Sequence, residues 1–122
     1  MEHKDTLTKR IIGCYYKVHS ELGPGFNEKI YHNALKLALD EGELKYKTEK
    51  KFVVYYQSEK IGYFFADLVV ENKVVVEIKA VTGNIPDVFK YQVISYSKAS
   101  GLKVGLLVNS GNKSCQIRRL SF

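Results

Sequence analysis

The sequence has no tryptophan, one methionine, two prolines and two cysteines among 122 residues. Cys14 and Cys115 lie far apart, with no CxxC pair and no Cys/His spacing. This excludes a disulfide framework and argues against a zinc site. Free thiols in a reducing compartment are the simpler reading, so the expected location is cytoplasmic. No apolar run approaches the length of a membrane span. The first residues, Met1-Glu-His-Lys-Asp-Thr6, carry charge where a secretory signal has its apolar segment. Repeats, low-complexity stretches and linkers are absent as well, which leaves one domain over residues 1–122 as the expectation.

What is present fits a globular domain. Hydrophobic residues make up 45% and charged residues 26%, a balance that rules out disordered, collagen-like and coiled-coil chains. A chain this long buries roughly two-thirds of its unfolded surface, so it needs no staple to fold. Lys+Arg number 19 against 13 Asp+Glu, a net charge of +6 that favours polyanionic partners. Charge alone is a weak pointer to nucleic acid.

Residues 6–20 read as a helix, because Leu7, Ile11, Cys14, Tyr15, Val18 and Leu22 recur at spacings of three and four. Leu22-Gly-Pro-Gly25 breaks it. A second helix starts near Asn27, a candidate N-cap, and runs to about Asp40, with Ile30, Tyr31, Ala34, Leu35 and Ala38 inward and Gly42 as its stop. The period then changes to that of strands: Phe52–Tyr56, Ile61–Val70 and Val74–Ala80. Pro86 opens a third helix that ends before Gly101. Strands at Lys103–Asn109 and Gln116–Leu120 follow. The third strand, third helix and fourth strand form a βαβ unit, so those two strands should run parallel. The predicted fold is α/β (α+β), in the order α-α-β-β-β-α-β-β, a mixed sheet flanked by helices.

Glu77 and Lys79 interrupt the third strand, Val74-Val-Val-Glu-Ile-Lys-Ala80, which is otherwise a buried core strand. Two apart, they project from one face, with Val76, Ile78 and Ala80 on the other. Buried charges are costly unless paired or ligating. Asp67 interrupts the preceding strand in the same way. A three-residue loop at 71–73, with Asn72 or a neighbour left-handed, sets Asp67 opposite Glu77, and this is the predicted register. A two-residue loop would turn Asp67 to the opposite face. Two carboxylates about 4 Å apart repel by roughly 4 kcal/mol at an effective dielectric near 20, about three pKa units. A hard divalent cation relieves that repulsion. The plainer alternative is a structural ion pair between Lys79 and one acid.

The pattern Asp67-x9-Glu77-x-Lys79 on adjacent hairpin strands resembles the signature of the PD-(D/E)xK nuclease superfamily. The run His19-Ser-Glu-Leu-Gly-Pro-Gly-Phe-Asn-Glu28-Lys-Ile-Tyr31 resembles small GxxExxI-type members. The likeness continues through Ala66-Asp-Leu68, Val76-Glu-Ile-Lys-Ala80, Gln92-Val-Ile-Ser-Tyr96 and Gly105-Leu-Leu-Val-Asn109, over roughly residues 10–120. It implies a restriction-endonuclease-like core. It also implies Mg²⁺ (or Mn²⁺) held by Asp67, Glu77 and the Ile78 carbonyl, with Glu28 as a further ligand or holder of water and Lys79 beside the attacking water. Gln92 and Tyr96 resemble the QxxxY motif of the RecB-like branch, which helps hold substrate or the lysine. On the residues alone, Glu28 is equally a charge complementing a helix dipole and Gln92 a satisfied core amide. His19 has no settled role. The sequence departs from the pattern at Phe65, where a basic residue is expected, at Ala66 in place of proline, and at Tyr31 in the last motif position.

The resemblance implies metal-dependent hydrolysis of DNA, structure-selective or nonspecific, with Lys9, Arg10, Lys90, Lys98 and Lys103 as candidate phosphate contacts. A homodimer is the expectation by analogy only. The rival reading is a non-catalytic module that binds nucleic acid or protein on the same fold.

Overall fold

The structure is a computed structural model that describes residues 4–122. Its elements are α1 (Lys4–Leu22), α2 (Glu28–Glu41), β1 (Tyr46–Tyr56), β2 (Glu59–Val70), β3 (Val74–Lys79), α3 (Asp87–Ser100), β4 (Val104–Asn109) and β5 (Gln116–Ser121). The order matches the one expected. The five strands form one mixed sheet in the order β1-β2-β3-β4-β5. The β3–β4 pair is parallel and the others are antiparallel.

Helices cover both faces. Leu7, Ile11 and Tyr15 of α1 and Tyr31, Leu35 and Leu39 of α2 bury against Leu68, Val70, Val74, Val76 and Ile78. On the opposite face, Tyr96 of α3 packs with Ala66, Val69 and Val75, and Val93 packs with Leu107. The caps follow local chemistry. The Asn27 side chain accepts the Ile30 N–H at 3.1 Å, and Gly101 ends α3 at φ 77°, a left-handed position that glycine adopts without strain.

Two expectations need correction. β1 begins at Tyr46, not Phe52, because Tyr46-Lys-Thr-Glu-Lys-Lys51 lies on an edge strand, where polar side chains face water and apolar alternation is not required. Ile30 was placed on the core face of α2, yet it is exposed; Leu39 is buried instead. Tyr31, Leu35 and Leu39 set the inward stripe one position round from Ile30.

One buried amide pins the end of β3. Asn109 is fully buried and holds Val81 from both sides, accepting its N–H at 2.8 Å and donating to its carbonyl at 2.9 Å. It also donates to Gln116 at 2.9 Å and accepts from the Gly111 N–H. This clamp sits two residues beyond Lys79, so it anchors the strand that carries Glu77 and Lys79. Asn109→Ala leaves several buried backbone groups unpaired and should lower stability by about 2–4 kcal/mol, read as a shifted urea midpoint with an unchanged slope. A midpoint equal to that of the wild type would show that the clamp is dispensable.

Candidate active site

The β2–β3 register is the one the three-residue loop predicts. Val70 pairs with Val74, Val69 with Val75 and Leu68 with Val76. Glu71 and Asn72 both take left-handed φ, 54° and 56°, and the Lys73 N–H closes the turn on the Val70 carbonyl. The next facing positions are Asp67 and Glu77. There the strands stop pairing backbone to backbone, and side chains take over. The Asp67 N–H donates to Glu77 Oε1 at 3.1 Å, and the Ile78 N–H donates to Asp67 Oδ2 at 3.0 Å. Each carboxyl therefore binds the other strand's backbone, and the two acids interlock across the hairpin.

A second feature brings Asp67 to this place. Tyr46, Leu68 and Val70 pack on the α1/α2 side, whereas Phe52, Phe64 and Ala66, of the same parity, pack with Tyr96 of α3. Side-chain alternation thus reverses on both strands between the Thr48–Leu68 and Lys50–Ala66 pairs. Glu49, at the reversal, has φ 48° inside a strand, a conformation that costs a non-glycine residue about 1–3 kcal/mol. Local strain of this kind clusters at functional sites.

Glu77 is 4% exposed, and its pKa is pushed up to about 8. Burial is the largest cause and the Asp67 carboxylate the next; Lys79 opposes both. Repulsion between the acids was expected to hold a proton on one of them, and burial adds to it. A side-chain hydrogen bond to Asp67 also favours the protonated form of Glu77. Lys79 is not ion-paired with either acid among the described residues; its ammonium lies 4.4 Å from the centre of the Phe89 ring on α3. The plain ion-pair alternative therefore does not hold. Tyr96 stacks on Phe64, with ring centres 4.2 Å apart, and its hydroxyl pKa is raised by burial and then by Glu77 and Asp67. Gln92 is half-buried one turn before Tyr96, in the same stripe of α3 as Phe89.

Glu28 approaches from the other side. It is the first residue of α2, and Glu28, Lys29, His32, Asn33 and Lys36 line a pocket of about 310 Å³ with Thr48, Glu49, Asp67 and Ile78. The pocket brings Glu28 and Asp67 to one cavity without closing a cage. No cluster of three His, Cys, Asp or Glu side chains set to grip an ion occurs among the described residues. The oxygen donors at Asp67 and Glu77 suit a hard divalent cation, which would displace the proton from Glu77.

Sequence reasoning treated Tyr31 as a departure and missed His32. Tyr31 is buried; its hydroxyl donates to the Gly23 carbonyl and accepts the Phe26 N–H, tying the Gly-Pro-Gly loop to α2 and so setting Glu28. His32 lies one turn beyond Glu28, and its Nε2 is buried without a partner among the described residues. The i, i+4 spacing from Glu28 was the available signal. His19 Nε2 lies 2.9 Å from the Lys113 carbonyl oxygen, while its buried Nδ1 has no hydrogen-bond partner among the described residues. The candidate phosphate contacts divide: Lys9 and Arg10 lie on α1, Lys90 and Lys98 on α3 across the sheet, and Arg10 donates to the Gly42 carbonyl at 2.7 Å.

The raised Glu77 pKa makes the metal-free protein sensitive to pH. Below about 4.5 its carboxyl is protonated in both folded and unfolded chains, and stability is at its full value. Between about 4.5 and 8 the unfolded chain releases this proton while the folded chain holds it, so stability falls through that window and levels off above 8. With chelator present, Glu77→Gln should flatten the decline and exceed the wild type at pH 9 by on the order of 3 kcal/mol, measured by thermal melts across pH. Parallel curves for the two proteins would refute the assignment.

A search of curated proteins finds no match. Among solved structures, the crystal structure of SSO0001 is similar in fold, with a TM-score of 0.62 at 18% identity. The match covers 76% of this chain and 48% of that one. No described helix is long and apolar enough to cross a membrane. The family model of the PD-(D/E)XK nuclease superfamily matches residues 5–120. With the order of elements and the paired acids ahead of Lys79, that match over nearly the whole chain makes this protein a member of the PD-(D/E)XK nuclease superfamily.

Proposed function

We propose that the protein is a metal-dependent nuclease that cleaves phosphodiester bonds in DNA, structure-selectively or without sequence preference. The single observation that carries this reading is the interlock of Asp67 and Glu77, with Lys79 two residues on and unpaired with either acid. Two acids placed face to face in a core, one retaining a proton to pH 8, are an expensive arrangement that a cation site explains.

Asp67, Glu77 and the Ile78 carbonyl would hold Mg²⁺ or Mn²⁺. Bound there, the ion supplies a Lewis acid that polarises the phosphoryl oxygens and acidifies a water. The chain's own groups do the rest. Lys79, steadied by the Phe89 ring, stabilises the negative charge that develops on the phosphorane-like transition state. Glu28, across the pocket from Asp67, accepts a hydrogen bond from water and keeps it in line. Gln92 and Tyr96 hold substrate or Lys79 from α3. This arrangement agrees with a GxxExxI-type, RecB-like relationship. The two free thiols suit a cytoplasmic setting.

The test is incubation of purified protein with end-labelled single-stranded, duplex and branched DNA, with Mg²⁺, Mn²⁺ or chelator. Cleavage should require metal. Asp67→Ala, Glu77→Ala and Lys79→Ala should each slow it by about 100-fold or more, and Glu28→Gln by about 10-fold or more. Calorimetry should show Mn²⁺ uptake by the wild type and by Lys79→Ala, but not by the two acid variants. Identical metal uptake in wild type and acid variants, with no cleavage of any substrate, would leave only the non-catalytic module.

A further inference from the structure

Beyond Asp67 the β1–β2 hairpin carries an aromatic face that the core does not use. Ile61, Tyr63 and Phe65 alternate along β2 and are 63%, 57% and 52% exposed. Phe64, between the last two, turns the other way and packs on Tyr96 and Phe52 beneath α3. Tyr63 and Phe65 therefore face the α2 side of the sheet, the side of the pocket that holds Glu28 and Asp67. Their rings meet edge to face, with centres 5.6 Å apart. Lys51, which pairs with Phe65 across the hairpin, places its ammonium 4.3 Å from the Tyr63 ring centre. Its strand neighbours point the other way: Lys50 lies over the Phe52 ring, and Lys47 pairs with Val69 of the α3-side cluster. Lys51 is not ion-paired among the described residues. Phe65 precedes Asp67 by two residues, about 7 Å along the strand.

We propose that the Tyr63–Phe65 face, with Lys51, is a stacking platform for the bases of an unpaired DNA strand and feeds that strand to the acidic pair. Exposed rings beside the Lys51 ammonium, which no acid pairs among the described residues, match the two surfaces a single strand presents, base faces and phosphates. A duplex hides its base faces, so the platform selects unpaired DNA. Phe65 occupies the position where the resembling proteins are expected to carry a basic residue; here a ring contact replaces a phosphate contact. A second copy of the chain is the weaker occupant, because a symmetric pairing brings the two Lys51 ammonium groups together. The platform names the substrate class of the proposed nuclease and to that extent rests on it, whereas the binding itself does not require hydrolysis.

The experiment measures binding by fluorescence anisotropy in chelator, where no cleavage occurs. The full chain is titrated against labelled oligo(dT), a duplex of equal length and oligo(U). The wild type should prefer oligo(dT) to duplex. Tyr63→Ala and Phe65→Ala should each weaken oligo(dT) binding by on the order of 10- to 100-fold and leave duplex binding unchanged, whereas Phe65→Trp should restore it. Both side chains are exposed, and circular dichroism melts should confirm intact folding. Unchanged oligo(dT) affinity in both variants, equal losses on duplex, or preference for oligo(U) would overturn the proposal. So would a wild-type dimer in sedimentation velocity that Phe65→Ala dissociates. Phe65-dependent strand binding by a protein that never cleaves would sustain the platform and reject the nuclease. Cleavage by a protein whose strand affinity ignores Phe65 would do the reverse.

Discussion

Two acids facing each other across the β2–β3 hairpin organise the rest of this molecule. Their carboxyl groups stand in for the next rung of backbone pairing: Glu77 takes the Asp67 N–H and Asp67 takes the Ile78 N–H. Satisfying the backbone this way keeps buried donors paired, but it packs two ionisable groups where one proton must stay. A hydrophobic pair would be cheaper at the same position. The arrangement is intelligible as a site held ready for positive charge, kept in register by a turn with two left-handed residues.

The surrounding elements each constrain one member of this group. Asn109 pins the chain just beyond Lys79 through Val81. Phe89 on α3 gives the Lys79 ammonium a ring to rest on, which leaves the acids unneutralised by it. Tyr31 fastens the glycine-rich loop to the start of α2 and so fixes where Glu28 enters the pocket. Glu49, between the Thr48–Leu68 and Lys50–Ala66 pairs that flank Asp67, takes a left-handed φ inside the strand, and aromatic surface is left exposed just beyond it. Stability is given up around the paired acids and recovered in the apolar layers on either side of the sheet.

The hairpin's reversal links these observations. Because both strands invert their faces at the Glu49–Asp67 position, the even-numbered residues of β2 pack under α1 and α2 at Leu68 and Val70 but under α3 at Phe64 and Ala66. Asp67 sits at the crossover, reachable from the α2 side while still bonded to β3. The same crossover turns Phe64 inward and leaves Tyr63 and Phe65 outward.

By itself the sequence determined the order of elements, the caps at Asn27, Gly42 and Gly101, the register of the β2–β3 turn and the common face of Glu77 and Lys79. All of these follow from patterns within about ten residues, where periodicity and turn chemistry act directly. Only the tertiary structure decided that polar Tyr46–Lys51 forms an edge strand, that Ile30 faces solvent and that alternation reverses at Asp67. It also decided that Lys79 rests on a helical ring rather than on an acid. Each of these depends on which distant surface a segment meets, and strand periodicity carries no record of a half-turn imposed by packing against two different helical layers.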